Sequence, residues 1–181
     1  MRVLSREEQA RFVSYLLEDM DTCKFGVLLA LFTGVRIGEL CALQWGKFSL
    51  KEQTIRIDAT LQRLRDTSAV GSARTRIVIS TPKSDTSVRT IPVTDYTAEL
   101  CGKMAPHSSA AYVLTGTDSF MEPRALQYRM EKYTRKCGLE GVHFHTLRHT
   151  FATRAVEVGF EIKSLSEVLG HSPACGQAAS G

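Results

Sequence analysis

The chain has 181 residues, 43% of them hydrophobic and 23% charged, with a formal net charge of +4. That length suits one domain with at most a small appendage, and the composition excludes an intrinsically disordered chain. No apolar run approaches the ~20 residues that would cross a bilayer, and the first nine residues lack the apolar stretch of a secretory signal. Cys23, Cys41, Cys101, Cys137 and Cys175 are odd in number and never form C-x-x-C. This argues against a disulfide framework or a thiolate zinc site, and for a reducing, cytoplasmic setting.

Ser5 and Glu8 have capping-box spacing, and Phe12, Val13, Leu16, Leu17 and Met20 recur at helical intervals behind them, so a first helix is expected over about residues 6–20. A second apolar run, Phe25–Phe32, reads as buried and stops near Gly34. Arg36 opens a third helix, with Glu39 one turn along. From Trp45 to Val93 the pattern turns to β: Ile55 and Ile57 alternate with polar residues, Ile77 and Ile79 do likewise, and three hairpin-linked strands are expected, with a loose turn at Val70–Ala73.

Helical spacing returns at 95–104, and again behind Pro123 with Leu126, Met130, Tyr133 and Cys137. That helix also carries a basic stripe of Arg129, Lys132 and Lys136. Leu147, Phe151, Ala155 and Val158 mark the next helix, ended by Gly159; Ile162, Leu165, Val168 and Leu169 mark a short last one, ended by Gly170. The fold class expected is α+β, mostly helical with a small three-stranded antiparallel sheet. The domain is expected to occupy residues 1–171, and residues 172–181, small and without periodicity, to form a disordered or non-native tail.

The charge is unevenly spread. Residues 61–92 hold 6 basic and 2 acidic groups and residues 124–136 hold 5 and 1, so each segment carries +4, diluted by acidic stretches elsewhere. Such runs are ordinarily solvated faces; they are also what a pair of phosphate-facing surfaces would look like.

Several residues could do chemistry. His145 and Arg148, three apart on a helix, can converge on one anion. His145 and His149 have the i, i+4 spacing of a zinc pair, but Thr146 stands where a zincin needs Glu and no third ligand is evident, so no metal is assigned. His149 reads as a packing residue. Taken singly, Arg36 reads as an ion-pair partner of Glu39, Lys83 as an edge-strand charge and His171 as a C-terminal cap cation.

In chain order, however, Thr33–Leu40 (TGVRIGEL), Thr81–Val93 (TPKSDTSVRTIPV), His145–Thr153 (HTLRHTFAT) and Leu169–Ser172 (LGHS) form a series. With these four boxes the chain resembles the catalytic domain of tyrosine recombinases, the phage integrase family, over about residues 1–172. The resemblance implies site-specific DNA recombination or integration through a phosphotyrosyl intermediate, without metal or cofactor. It implies that Arg36 and Arg148 hold the non-bridging oxygens of the scissile phosphate, which suits the bidentate guanidinium. Lys83 would be the general acid on the departing 5′ oxygen, His145 would accept the nucleophile's proton or bond the phosphate, and His171 would donate to a non-bridging oxygen. Arg63, Arg65, Arg74, Arg76, Arg89, Lys132 and Arg135 are then expected as DNA contacts. The expected partners are double-stranded DNA and further recombinase protomers, on nucleoid DNA in a bacterial cytosol and not at a membrane.

The family's tyrosine follows the last box by nine or ten residues, where Ser180 or Gly181 stands, and Tyr15, Tyr96, Tyr112, Tyr128 and Tyr133 all precede the second arginine box. The chain is therefore expected to be a catalytic domain truncated before its nucleophile, deficient in cleavage. The alternatives are a catalytically inactive DNA-binding protein on the same fold and, further off, a metal-free phosphohydrolase.

Overall fold

A computed structural model describes residues 2–65, 75–81 and 88–170. The first helix, α1 (Arg6–Leu17), begins at the expected capping box: Glu8 N–H donates to Ser5 Oγ at 3.1 Å, and Ser5 N–H to Glu8 Oε2 at 2.8 Å. It ends three residues earlier than its apolar spacing suggests, because the chain turns at Asp19 with φ 45°. Next, α2 (Thr22–Thr33) is capped by Asp21, which accepts the Lys24 N–H at 2.7 Å. Its sequence is apolar on every side, so it lies at the centre of the core, with α1, α4 (Asp95–Met104), α5 (Pro123–Lys136) and α6 (Phe144–Glu157) packed around it.

At Gly34 the backbone takes φ 69° to close α2, and a Cβ there would lie 2.7 Å from Phe151 and 2.8 Å from Leu169. Glycine therefore both permits the turn and lets α6 and α7 (Ile162–Leu169) approach it. The chain then enters α3 (Ile37–Ala42) with Arg36 as its N-cap.

The β region contains the small three-stranded antiparallel sheet expected, and a hairpin besides. Among the described residues, five strands form two separate antiparallel units: β1 (Phe48–Ser49), β2 (Thr54–Ile57) and β5 (Arg89–Pro92) make a three-stranded sheet, while β3 (Thr60–Arg65) and β4 (Thr75–Ser80) make a hairpin of their own. The break falls at Asp58–Ala59, between β2 and β3. Strand β2 pairs with β5 so that Ile55 faces Ile91 and Ile57 faces Arg89. Period-two alternation thus sends Ile55, Ile57, Ile91 and Arg89 to the same buried side. The proposed turn at Val70–Ala73 and the boundary after residue 171 lie outside the described residues.

The stretch before α5, which carries little periodicity, pairs with the α3 exit: Val113 N–H donates to Leu43 O and Trp45 N–H to Ala111 O, both at 3.0 Å. On α6, Thr150 Oγ1 accepts the Leu4 N–H at 3.0 Å and Arg154 donates to Leu4 O at 2.7 Å, stapling the incoming chain to that helix. Among the described residues, no helix is long and apolar enough to cross a membrane.

Helix α3 lies directly on β3: a Cβ at Gly38 would stand 2.7 Å from Leu61 O and 2.7 Å from Thr60 Oγ1. Because one of those neighbours is backbone, Gly38→Ala must displace the hairpin from α3. The expected cost is about 1–3 kcal/mol of unfolding free energy, checked by urea denaturation.

Candidate active site

The site is built where the end of α7 meets the start of α3. A helix leaves its last carbonyls without intrahelical donors and gathers partial negative charge there. At the carboxyl end of α7, three successive carbonyls, the last of them on its C-cap Gly170, each take a guanidinium. Arg89 Nε donates to Val168 O at 2.6 Å, Arg148 Nη2 to Leu169 O at 2.6 Å, and Arg36 Nη2 to Gly170 O at 3.1 Å. Arg148 Nη1 also donates to Gly34 O at 2.7 Å, so the turn that ends α2 is joined to the turn that ends α7.

These arginines gather around Glu39, on the first turn of α3. Its carboxylate accepts both terminal nitrogens of Arg89, at 2.8 and 2.9 Å, together with Arg36 Nη1 at 3.0 Å and the Arg36 backbone N–H at 2.8 Å. Side-chain exposure is 39% for Arg36, 5% for Glu39 and 6% for Arg89, and Arg148 is buried as well. Burial by itself pushes the Glu39 carboxyl up. The hydrogen bonds and charge of Arg89, then those of Arg36, outweigh it and hold the group below its ordinary value. For Arg148, burial and the charge of Arg36 push the guanidinium down to about 10, with Glu39 acting against them and Arg89 adding to them. It stays cationic at neutral pH, and a bound anion would relieve the repulsion.

Arg36 also borders a cleft of about 600 Å³ that runs along β3 past Leu61 and Arg63 to Arg124 and Gln127 on the first turns of α5. His145 is exposed one helical turn before Arg148, its ring 4.5 Å from that of His149 and perpendicular to it. His149, half-buried, is held below the usual histidine value by burial and then by His145 and Arg148. Among the described residues, no third His, Cys, Asp or Glu joins them in a metal-sized cluster.

Arg36 and Arg148 are therefore brought together, with His145 on the same helix as Arg148. Lys83 and His171 lie outside the described residues, as do Arg74 and the side chain of Arg65. Arg63 is exposed on β3, bonded to Glu122 at 2.5 Å and Thr75 at 2.9 Å; Arg76 is exposed on β4; Lys132 and Arg135 are exposed on α5, Lys132 over the Tyr128 ring. Arg89, expected among the DNA contacts, is instead buried against Glu39, because the alternation that buries Ile91 turns Arg89 inward as well. That alternation is visible in Arg89-Thr-Ile-Pro92 and was the signal to use. The α7 carbonyls have no sequence signature at all.

Residues 2–174 match the model of the phage integrase family. The tyrosine recombinase XerA of Thermococcus kodakarensis is 29% identical over 177 residues, covering 94% of this chain and 54% of that protein. A tyrosine recombinase of Pseudothermotoga lettingae is 32% identical over 152 residues, covering 80% and 43%. The chain thus spans about half the length of the curated relatives it matches. Among solved structures, the Tn1549 transposon integrase in complex with a circular intermediate DNA superposes with a TM-score of 0.73 at 22% identity, over 94% of this chain and 58% of that one. The XerA recombinase superposes at 0.71 and 22% identity, over 95% and 55%. The structural likeness is one of fold.

Removing the charge of Glu39 leaves Arg89 buried without its carboxylate. Glu39→Gln is expected to lose about 3–5 kcal/mol at neutral pH. Since the folded pKa of Glu39 lies below its ordinary 4.5, its stabilisation is complete above that value and is lost as pH falls through the folded pKa. Urea titrations across pH should therefore show a shallower acid limb in Glu39→Gln than in the unmutated protein.

Proposed function

The chain belongs to the phage integrase family, and from that membership we propose that it binds duplex DNA and holds one phosphodiester for site-specific strand exchange of the tyrosine-recombinase kind. The observation that carries this reading is the meeting of Arg36 and Arg148 on the adjacent carbonyls of Gly170 and Leu169. Two guanidiniums so placed can bond the two non-bridging oxygens of one phosphate and neutralise the charge that grows on them in the transition state.

In the reaction, a tyrosine oxygen attacks phosphorus, the bond to the 5′ oxygen breaks and a 3′-phosphotyrosyl link forms; attack by a 5′ hydroxyl reverses it and rejoins a strand without ATP. Lys83 supplies the proton to the departing 5′ oxygen and His171 donates to a non-bridging oxygen, roles that rest on the family resemblance. For His145, which accepts the nucleophile's proton or bonds the phosphate, its exposure one turn from Arg148 is added support. Arg63, Arg76, Lys132 and Arg135 contact the DNA backbone, a reading supported by their exposure; for Arg65 and Arg74 the same role rests on the family resemblance. A tetramer of lambda integrase bound to a Holliday junction shares the fold at a TM-score of 0.59, which supports assembly with further protomers on DNA.

The residues 1–181 contain no tyrosine after Tyr133. Tyr133 itself is packed against Tyr15 in the core, and burial, with Cys23 and Asp21 adding to it, pushes its phenol up to about 12. These residues thus orient a phosphodiester without supplying the nucleophile.

Fluorescence anisotropy with a labelled duplex should show an affinity that falls steeply with salt. Arg36→Ala and Arg148→Ala should each weaken it by about 1.5–3 kcal/mol, and Arg148→Lys should not restore it. Salt-independent binding, or binding unaffected by both alanine variants, would sink the reading. On a nicked duplex, a denaturing gel should show no covalent adduct; an adduct would refute the assignment of a missing nucleophile.

A further inference from the structure

Arg89 is buried, as Arg148 is, and what sets it apart is the direction of its contacts. Its side chain is 6% exposed and its contacts point inward, to the two oxygens of Glu39 and to Val168 O. We propose that Arg89 is a positioning residue of the phosphate site, holding Arg36 and Arg148 in mutual register by fastening Glu39 to the last turn of α7. The inference rests on the function proposed above and names a further residue on which that function depends.

The contacts make Arg89 a hub between both arginines. Through Glu39 it acts on Arg36, because the carboxylate that takes the Arg89 fork also takes Arg36 Nη1 and the Arg36 backbone N–H. Through Val168 it acts on both, because the next two carbonyls, Leu169 O and Gly170 O, are the acceptors of Arg148 and Arg36. Holding the first of three consecutive carbonyls restrains the turn that presents the other two. The backbone closes directly over the guanidinium: a Cβ at Gly170 would lie 3.0 Å from Arg89 Nη1 and 3.2 Å from its Cδ. Arg89 also stands six positions after Lys83, at the head of β5, with its strand pairing fixed opposite Ile57.

A lysine could keep the charge at this position, but not the work. One ammonium on a flexible stem cannot present two parallel donors to a carboxylate and a third, at an angle, to Val168 O. A merely structural ion pair would lower the melting temperature when altered and leave the folded protein's affinity for phosphate as it was. A positioning residue changes that affinity while the fold persists.

The test uses two probes, dimethyl phosphate and a labelled duplex, well below the melting temperature of every variant. Amide spectra report folding, and the Nε–H signals of the arginines report the site. With the unmutated protein, dimethyl phosphate should shift the Arg36 and Arg148 signals. By reciprocity of linkage it should also slow solvent exchange of the Arg89 Nε–H, although the ligand does not touch it. Arg89→Lys should fold, bind the duplex about tenfold more weakly and lose the Arg36 response. In Arg89→Ala, millimolar guanidinium ion should restore part of the lost affinity.

A folded Arg89→Lys with unmutated affinity and response overturns the inference while leaving the proposed function standing, provided that Arg36→Ala binds weakly. If Arg36→Ala binds both probes as the unmutated protein does, the function fails and the inference with it. Should Arg89→Lys not fold, the exchange measurement decides: an Arg89 Nε–H indifferent to a phosphate that shifts Arg36 overturns the inference.

Discussion

Three guanidiniums on the carboxyl end of one short helix are the constraint on which this molecule's site depends. Helix α7 has eight residues and a small apolar footing, in which Leu165 and Leu169 pack on Ala155, Phe151 and Ala152. That footing is modest, and the arginine bonds to its carbonyls supply the direction it lacks. The bonds also tie remote parts of the chain together, since Arg36, Arg89 and Arg148 come from α3, β5 and α6. Each arginine finds an acceptor that the helix could not satisfy for itself.

Such an arrangement is not chosen for stability alone. A buried ion pair recovers its desolvation cost only when its geometry is good, and an apolar replacement is often no less stable. Here Glu39 spends both oxygens on three guanidinium nitrogens and one backbone N–H. What this secures is direction: Arg36 remains part-exposed beside the cleft while Arg89 disappears beneath it. Binding sites need such fixed cations, because donors that are already aimed need no reorganisation when the anion arrives.

Much of this was legible in the sequence, and the exceptions share a cause. The Ser5–Glu8 cap, the buried run of α2 and Pro123 at the start of α5 are local signals, and the structure keeps them. Arg36 and Arg148 were found by motif order, and their meeting is a tertiary fact consistent with it. Glu39 was legible only as a neighbour of Arg36; its larger commitment, to Arg89 fifty residues away, was not. Arg89 was grouped with surface arginines by charge, though its spacing from Ile91 places it on the buried face. The two separate β units were read as one because alternation reports which face is buried and not which strands pair. Backbone acceptors such as Leu169 O leave no mark on composition.

The interruption at Asp58–Ala59 has a mechanical meaning. Among the described residues no ladder bond joins the β3–β4 hairpin to the three-stranded sheet, and the hairpin rests on α3 where Gly38 meets Thr60 and Leu61. The hairpin that lines the cleft and the sheet that places Arg89 are therefore separate hydrogen-bonded units, consecutive in the chain, and the cleft wall meets the start of α5 through the ion pair of Arg63 with Glu122.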